Sequence, residues 1–204
     1  MTDDGIPHHD DGPRSLKDPM VRERRRAMLF QPHMRPLIAY VERLRRRSNT
    51  YVPDFDPLDG GVEARILFLF ENPGAAIDPA QGGSGFISRN NDDPFAQAVL
   101  EVMTTAGIPR RQSVAWCVCG GTRQADGDER AAGFRDLAEL LTLLPRLDTA
   151  VLVGAAAGAR SFVSRLSVFE SDVPNAEIWR HAARARYDGR GTTSQRHFSE
   201  LDFE

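Results

Sequence analysis

Ile66 to Phe70 form an unbroken apolar run that stops at Glu71-Asn72-Pro73-Gly74. A strand buried on both faces of a parallel sheet reads as such a continuous run, whereas a half-exposed strand alternates. The segment 64–70 therefore predicts a central strand, and a parallel sheet commits the chain to crossover helices on its faces. The strand ends on two polar side chains followed at once by a rigid turn. In open α/β sheets ligands bind beyond the carboxyl ends of the strands. A polar pair held there by Pro and Gly is placed to aim at a substrate, although Asn-Pro-Gly is also good turn chemistry in its own right.

The remaining segments agree with this start. Apolar residues Met34, Leu37, Ile38, Val41 and Leu44 recur at helical spacing. A Pro/Asp/Gly loop over 51–61 leads into the first core strand, and a glycine-rich loop over 81–88 follows it. Asp92 or Asp93 is placed to cap a helix with Pro94 in its first turn, and Gly107 to end it. Strands are predicted at 113–118, 149–153 and 176–179, with helices at 129–144, 155–166 and 194–201. The expected fold is a three-layer α/β/α sandwich with a central, mainly parallel four-stranded sheet. Residues 1–30, polar and acidic and then basic, are expected to form a flexible or loosely attached segment, and 31–204 the single domain. Gly154-Ala155-Ala156-Ala157-Gly158 lacks the spacing of a dinucleotide or Walker loop and reads as close helix–strand packing.

Composition excludes several classes. With 204 residues, 41% hydrophobic and 27% charged, the chain suits one soluble core. No apolar run approaches a membrane span, and the N-terminus has no apolar signal core. Cys117 and Cys119 lie two apart on a predicted strand, which suits neither an ordinary disulfide nor a structural zinc site. A reducing cytoplasm is the expected location. The net charge is −3, yet arginine is clustered at 22–26, 43–47 and 180–196. Such clusters serve either as solvated faces or as phosphate contacts. Only one lysine, Lys17, is present.

The order of these motifs resembles the uracil-DNA glycosylase superfamily over roughly residues 34–201. Phe70-Glu71-Asn72-Pro73-Gly74 is similar to its first active-site motif, most like the Asn-Pro-Gly of the single-strand-selective branch. Gly83-Ser84-Gly85-Phe86-Ile87-Ser88 stands where that family has the loop supplying a stacking aromatic. Asn91-Asp92-Asp93 precedes a helix in the same arrangement. Trp116-Cys117 stands where Trp-Asn is usual, and His181 where His-Pro-Ser-Pro is. The resemblance implies a monofunctional hydrolase of the N-glycosidic bond in DNA, acting as a monomer without metal or organic cofactor. Asn72 would position water beneath the sugar C1′, with Glu71 as the adjacent carboxylate. His181 would donate to the base carbonyl as negative charge develops there. Phe86 would stack on the extruded base, with Cys117, Pro73, Gly74 and Ala75 also lining its site. Ser88, Arg184, Arg186 and Arg190 would contact the DNA strand. Strand cleavage needs an amine nucleophile, and Lys17 lies outside the expected core.

Two departures bear on substrate. A thiol at Cys117 offers only weak versions of the donor and acceptor that an amide presents to a uracil edge. Ala182-Ala183 supply neither the hydroxyl nor the rigid turn of Pro-Ser. Phe70 also stands in place of a leading Gly. Three functions remain open on the sequence: a glycosylase for a modified base, a uracil-excising enzyme, and a non-catalytic binder of nucleic acid or nucleotide.

Overall fold

Strand β2, Ile66–Phe70, is buried along its whole length between two parallel neighbours. The computed structural model describes residues 8–48, 51–70, 75–118, 127–153 and 167–171. β1 is Asp54–Phe55, β3 Phe86–Ile87, β4 Ser113–Cys117, β5 Thr149–Val153 and β6 Ser167–Ser171. The helices are α1, Pro19–Ala27; α2, Arg35–Arg47; α3, Pro94–Thr105; and α4, Gly127–Thr142. The class is α/β with parallel strands. The strands fall into two sheets rather than the single one expected, with orders β1-β3 and β4-β2-β5-β6. In the larger sheet Phe70 pairs with Cys117 on one side and Val153 on the other, so three strands end level.

Alternation along the strands divides the apolar contacts between two faces. Trp116 stacks on Phe55, with ring centroids 4.0 Å apart and planes 16° from parallel. Tyr40 of α2 meets the same indole edge-on at 5.8 Å. Buried aromatic pairs of this kind add to the hydrophobic gain from their area. Tyr40 Oη donates to the Asp136 carbonyl at 3.0 Å and so ties α2 to α4. On the other face Phe68 and Phe70 look toward Val99 and Met103 of α3. Phe70 meets Phe95 edge-on at 5.5 Å.

Local signals explain where helices begin and end. The Asp93 carboxylate accepts from Phe95 N–H at 2.9 Å, Pro94 opens α3, and Gly107 beyond its end adopts φ 66°. Asp18 caps α1 in the same way, accepting from Met20 N–H at 2.8 Å. Leu37, Tyr40, Val41 and Leu44 form the buried stripe of α2. Among the described residues no helix is long and apolar enough to cross a membrane.

Two expectations are corrected. A strand at Ser167–Ser171 pairs with β5, where the sequence suggested only a connection. Apolar periodicity alone does not separate such a short edge segment from loop. The strand expected at 176–179 and the helices at 155–166 and 194–201 lie outside the described residues. The second correction concerns residues 8–30, which are packed onto the domain rather than loosely attached. Leu16 and Val21 enclose Phe86, all three fully buried. Leu16 N–H donates to the Asn90 carbonyl at 3.1 Å. Polar composition hides this because most of the attachment is ionic. Leu16→Ala is expected to cost about 2–5 kcal/mol in urea denaturation, as for other buried leucines. A loosely attached segment would leave stability unchanged.

Candidate functional site

The carboxyl ends of β2, β4 and β5 form the edge at which ligands meet such sheets. Glu71, Asn72, Pro73 and Gly74 follow β2 directly in the chain but lie outside the described residues, as do His181, Arg184, Arg186 and Arg190. Ala75 begins a single 3-10 turn, Ala75–Ile77. Cys117, the last residue of β4, is fully buried in the main core. It pairs with Phe70 at the end of β2.

Phe86 is not available to stack on a base. It is 0% exposed and sealed by Leu16 and Val21. Ser88 is equally committed: its hydroxyl donates to the Asp56 carboxylate and accepts from Asn90 N–H at 3.0 Å. Neither side chain therefore faces a DNA strand, because residues 8–30 cover the loop that carries them.

What the described residues do bring together is a buried ionic cluster. Asp56 Oδ1 and Oδ2 accept from Arg25 Nη1 at 2.7 and 2.6 Å, and Oδ2 also accepts from Arg110 Nη2 at 2.6 Å. Leu58 N–H donates to Asp56 Oδ1 at 3.0 Å. Arg110 Nε donates to Asp59 Oδ1 at 3.0 Å, and its Nη1 to Asp11 and to Asn90 Oδ1. The Asn90 amide in turn donates to the carbonyls of Asp11 and Gly12 at 3.0 and 2.9 Å. Gly60 fits the loop tightly under β4, since a Cβ there would come within 2.2 Å of the Arg111 carbonyl. Four separate segments thus meet at one carboxylate.

The two acids titrate in opposite senses. Burial pushes Asp56 upward, but Arg110, Arg25, the Ser88 hydroxyl and the Leu58 amide outweigh it and hold the carboxyl well below its usual range. Burial also pushes Asp59 upward; Arg110 opposes this only in part, and the Asp56 charge adds to it, leaving Asp59 at about 6.

Beside the cluster lies a cavity of about 40 Å³ between α3 and the Phe68–Phe70 face. Phe68, Phe70, Ile87, Val99 and Met103 form its apolar walls, and Asp59 and Arg89 also line it. Burial lowers the Arg89 guanidinium to about 10, and its Nε has no hydrogen-bond partner. Sequence reading missed the cluster entirely. Arg25 reads in sequence as one of an arginine run, Asp56 and Asp59 as members of a Pro/Asp/Gly loop, and Arg110 carries no signal of its own. Pairs separated by 31 and 54 positions carry no local signal.

Comparison with profiles of known protein families and with curated proteins gives no match.

Replacing one partner in such a buried pair strands the other charge. Asp56→Asn is expected to destabilise by about 3–5 kcal/mol in chemical denaturation. The pH dependence has two limbs. The contribution of Asp56, whose carboxyl is depressed on folding, is fully present above the ordinary carboxylate range and is lost as pH falls below that range to the depressed value of the folded protein. That of Asp59, raised on folding, is fully present below 3.8 and lost as pH rises toward about 6. Asp54 and Asp136 shift in the same direction as Asp59. Asp59→Asn should therefore lessen, without abolishing, the decline in denaturation midpoint across that window. An unchanged decline would contradict the assignment.

Proposed function

We propose that this chain is a three-layer α/β/α hydrolase that cleaves the N-glycosidic bond of uracil or a modified base in DNA. The observation that carries this is strand order. Taken in chain order within the larger sheet, the strands run second-first-third-fourth. The chain leaves β2 for one side and returns through β5 on the other. In sheets of this order the ligand crevice opens where the connections diverge, at the carboxyl end of the first strand. Here the residues that follow that end are Glu71-Asn72-Pro73-Gly74. An amide there orients water and stabilises charge without accepting a proton. His181 would act on the leaving base, and Arg184, Arg186 and Arg190 on the flanking phosphates.

The burial of Phe86 and Ser88 favours a second function, a non-catalytic binder of nucleic acid or nucleotide on the same fold. A base held without that aromatic loses a stacking contact worth about 1–3 kcal/mol.

Base release from labelled oligonucleotides separates the two. The substrates would carry uracil, hypoxanthine, xanthine or bulky modified pyrimidines, single- and double-stranded. Wild type is expected to release at least one of them, and Asn72→Ala to slow release about a hundredfold or more. DNA binding with no release from any substrate would leave only the binder.

A further inference from the structure

Asp10, Asp11 and Gly12 meet the rest of the protein as acceptors. Asp10 takes a bidentate pair from Arg24, Nε at 2.8 Å and Nη2 at 2.7 Å, and its carbonyl accepts from Arg25 Nη2 at 2.5 Å. The Asp11 carboxylate accepts from Arg110 Nη1, and the Asp11 and Gly12 carbonyls accept from the Asn90 amide. A little further on, Arg22 Nε donates to the Leu16 carbonyl at 2.5 Å. Four guanidinium groups and one amide thus donate to carboxylates and carbonyls of a single short segment. A surface that offers donors and positive charge matches a ligand that is anionic and accepts only. A phosphodiester strand is such a ligand, and arginine takes phosphate in the same bidentate geometry as carboxylate.

The apolar attachment of this segment is small. Leu16 is the only buried apolar side chain among residues 10–17, and with Val21 of α1 it encloses Phe86. The segment also carries strain. Arg14 holds φ 55°, the only positive φ outside glycine among the described residues, and an L-residue pays free energy to adopt it. Asp18, extended at φ −74° and ψ 120°, separates the segment from α1. α1 itself is kept in place by Arg25 on Asp56. A turn at Asp18 therefore lifts residues 8–17 without breaking that pair.

We propose that residues 8–17 occupy a DNA-strand site on this protein and that a DNA strand displaces them. Phosphates take the places of Asp10 and Asp11 on Arg24 and Arg110, and withdrawal of Leu16 opens Phe86 to a base. A phosphate returns an anionic partner to each arginine, so the exchange strands no buried charge. The acidic segment thereby holds the site shut until a strand competes for it. This site rests on the reading that the chain engages DNA, and it holds whether or not a base is then released.

The test is binding of a short fluorescein-labelled single-stranded DNA to the full chain, read by anisotropy at one fixed salt concentration. Leu16→Ala, which changes no charge, is expected to tighten binding about tenfold or more, because it removes part of the cost of opening the site. Asp10→Asn combined with Asp11→Asn should act in the same direction. A Leu16 that only supported the fold would weaken binding when truncated, or leave it alone, so the sign separates the two roles. Phe86→Leu added to Leu16→Ala should cancel most of the gain by removing the stacking face. In wild type the Leu16 amide, bonded to the Asn90 carbonyl at 3.1 Å, should exchange its hydrogen about tenfold faster once DNA is added. If Leu16→Ala does not fold, the Asp10/Asp11 variant and the exchange measurement decide. Unchanged or weaker binding in either folded variant, a gain that survives Phe86→Leu, or a Leu16 amide that DNA does not expose would overturn the proposal. DNA binding by wild type would in those cases leave the nucleic-acid reading intact. No DNA binding by wild type or any variant would remove both.

Discussion

The Asp56 carboxylate holds the described part of this structure together. It takes hydrogen bonds from Arg25 on α1, Arg110 ahead of β4, Ser88 after β3 and its own loop amide. Removing two charges from water is expensive, and their attraction repays it only when the remaining lone pairs are also filled. Asp56 meets that condition, and its depressed pKa is the sign of it. A buried pair of this kind adds little net stability over apolar packing, but any arrangement of the four segments that breaks it strands a charge.

That arrangement has consequences for the loop and helix that flank the sheet. Pinning α1 closes residues 8–30 over the loop at 84–91, and Phe86 is sealed beneath Leu16 and Val21. The loop then delivers Asp93 to its capping position, which sets α3 against Phe68 and Phe70. The end of β2 and the cavity lined by Phe68 and Phe70 therefore share one scaffold. Arg89 also lines that cavity, its Nη1 on the Met103 sulfur and its Nε without a partner.

The core elements were legible because each carries its own local signal. The run Ile66–Phe70 announced a doubly buried strand, and the strand is buried throughout. Asp93, Pro94 and Gly107 marked the ends of α3 by capping chemistry that acts within a few residues. The spacing of Leu37, Val41 and Leu44 marked α2. Ser167–Ser171 escaped because a short strand is defined by its partner, β5, and not by its own pattern. Phe86 was misread for a related reason. An aromatic in a glycine-rich loop has the same sequence signature whether it faces a ligand or a covering segment.

The sequence by itself determined the α/β class, the central strand with its Asn-Pro-Gly ending, and the ends of α2 and α3. These follow from periodicity and capping, which act over a few residues. Only the tertiary structure decided which arginines meet which acids and that residues 8–30 belong to the fold. Charge pairing has no period and no short-range cue. Arg25 and Arg110 reach the same carboxylate from 31 and 54 positions away. Their role follows from burial, which depends on where the whole chain places them.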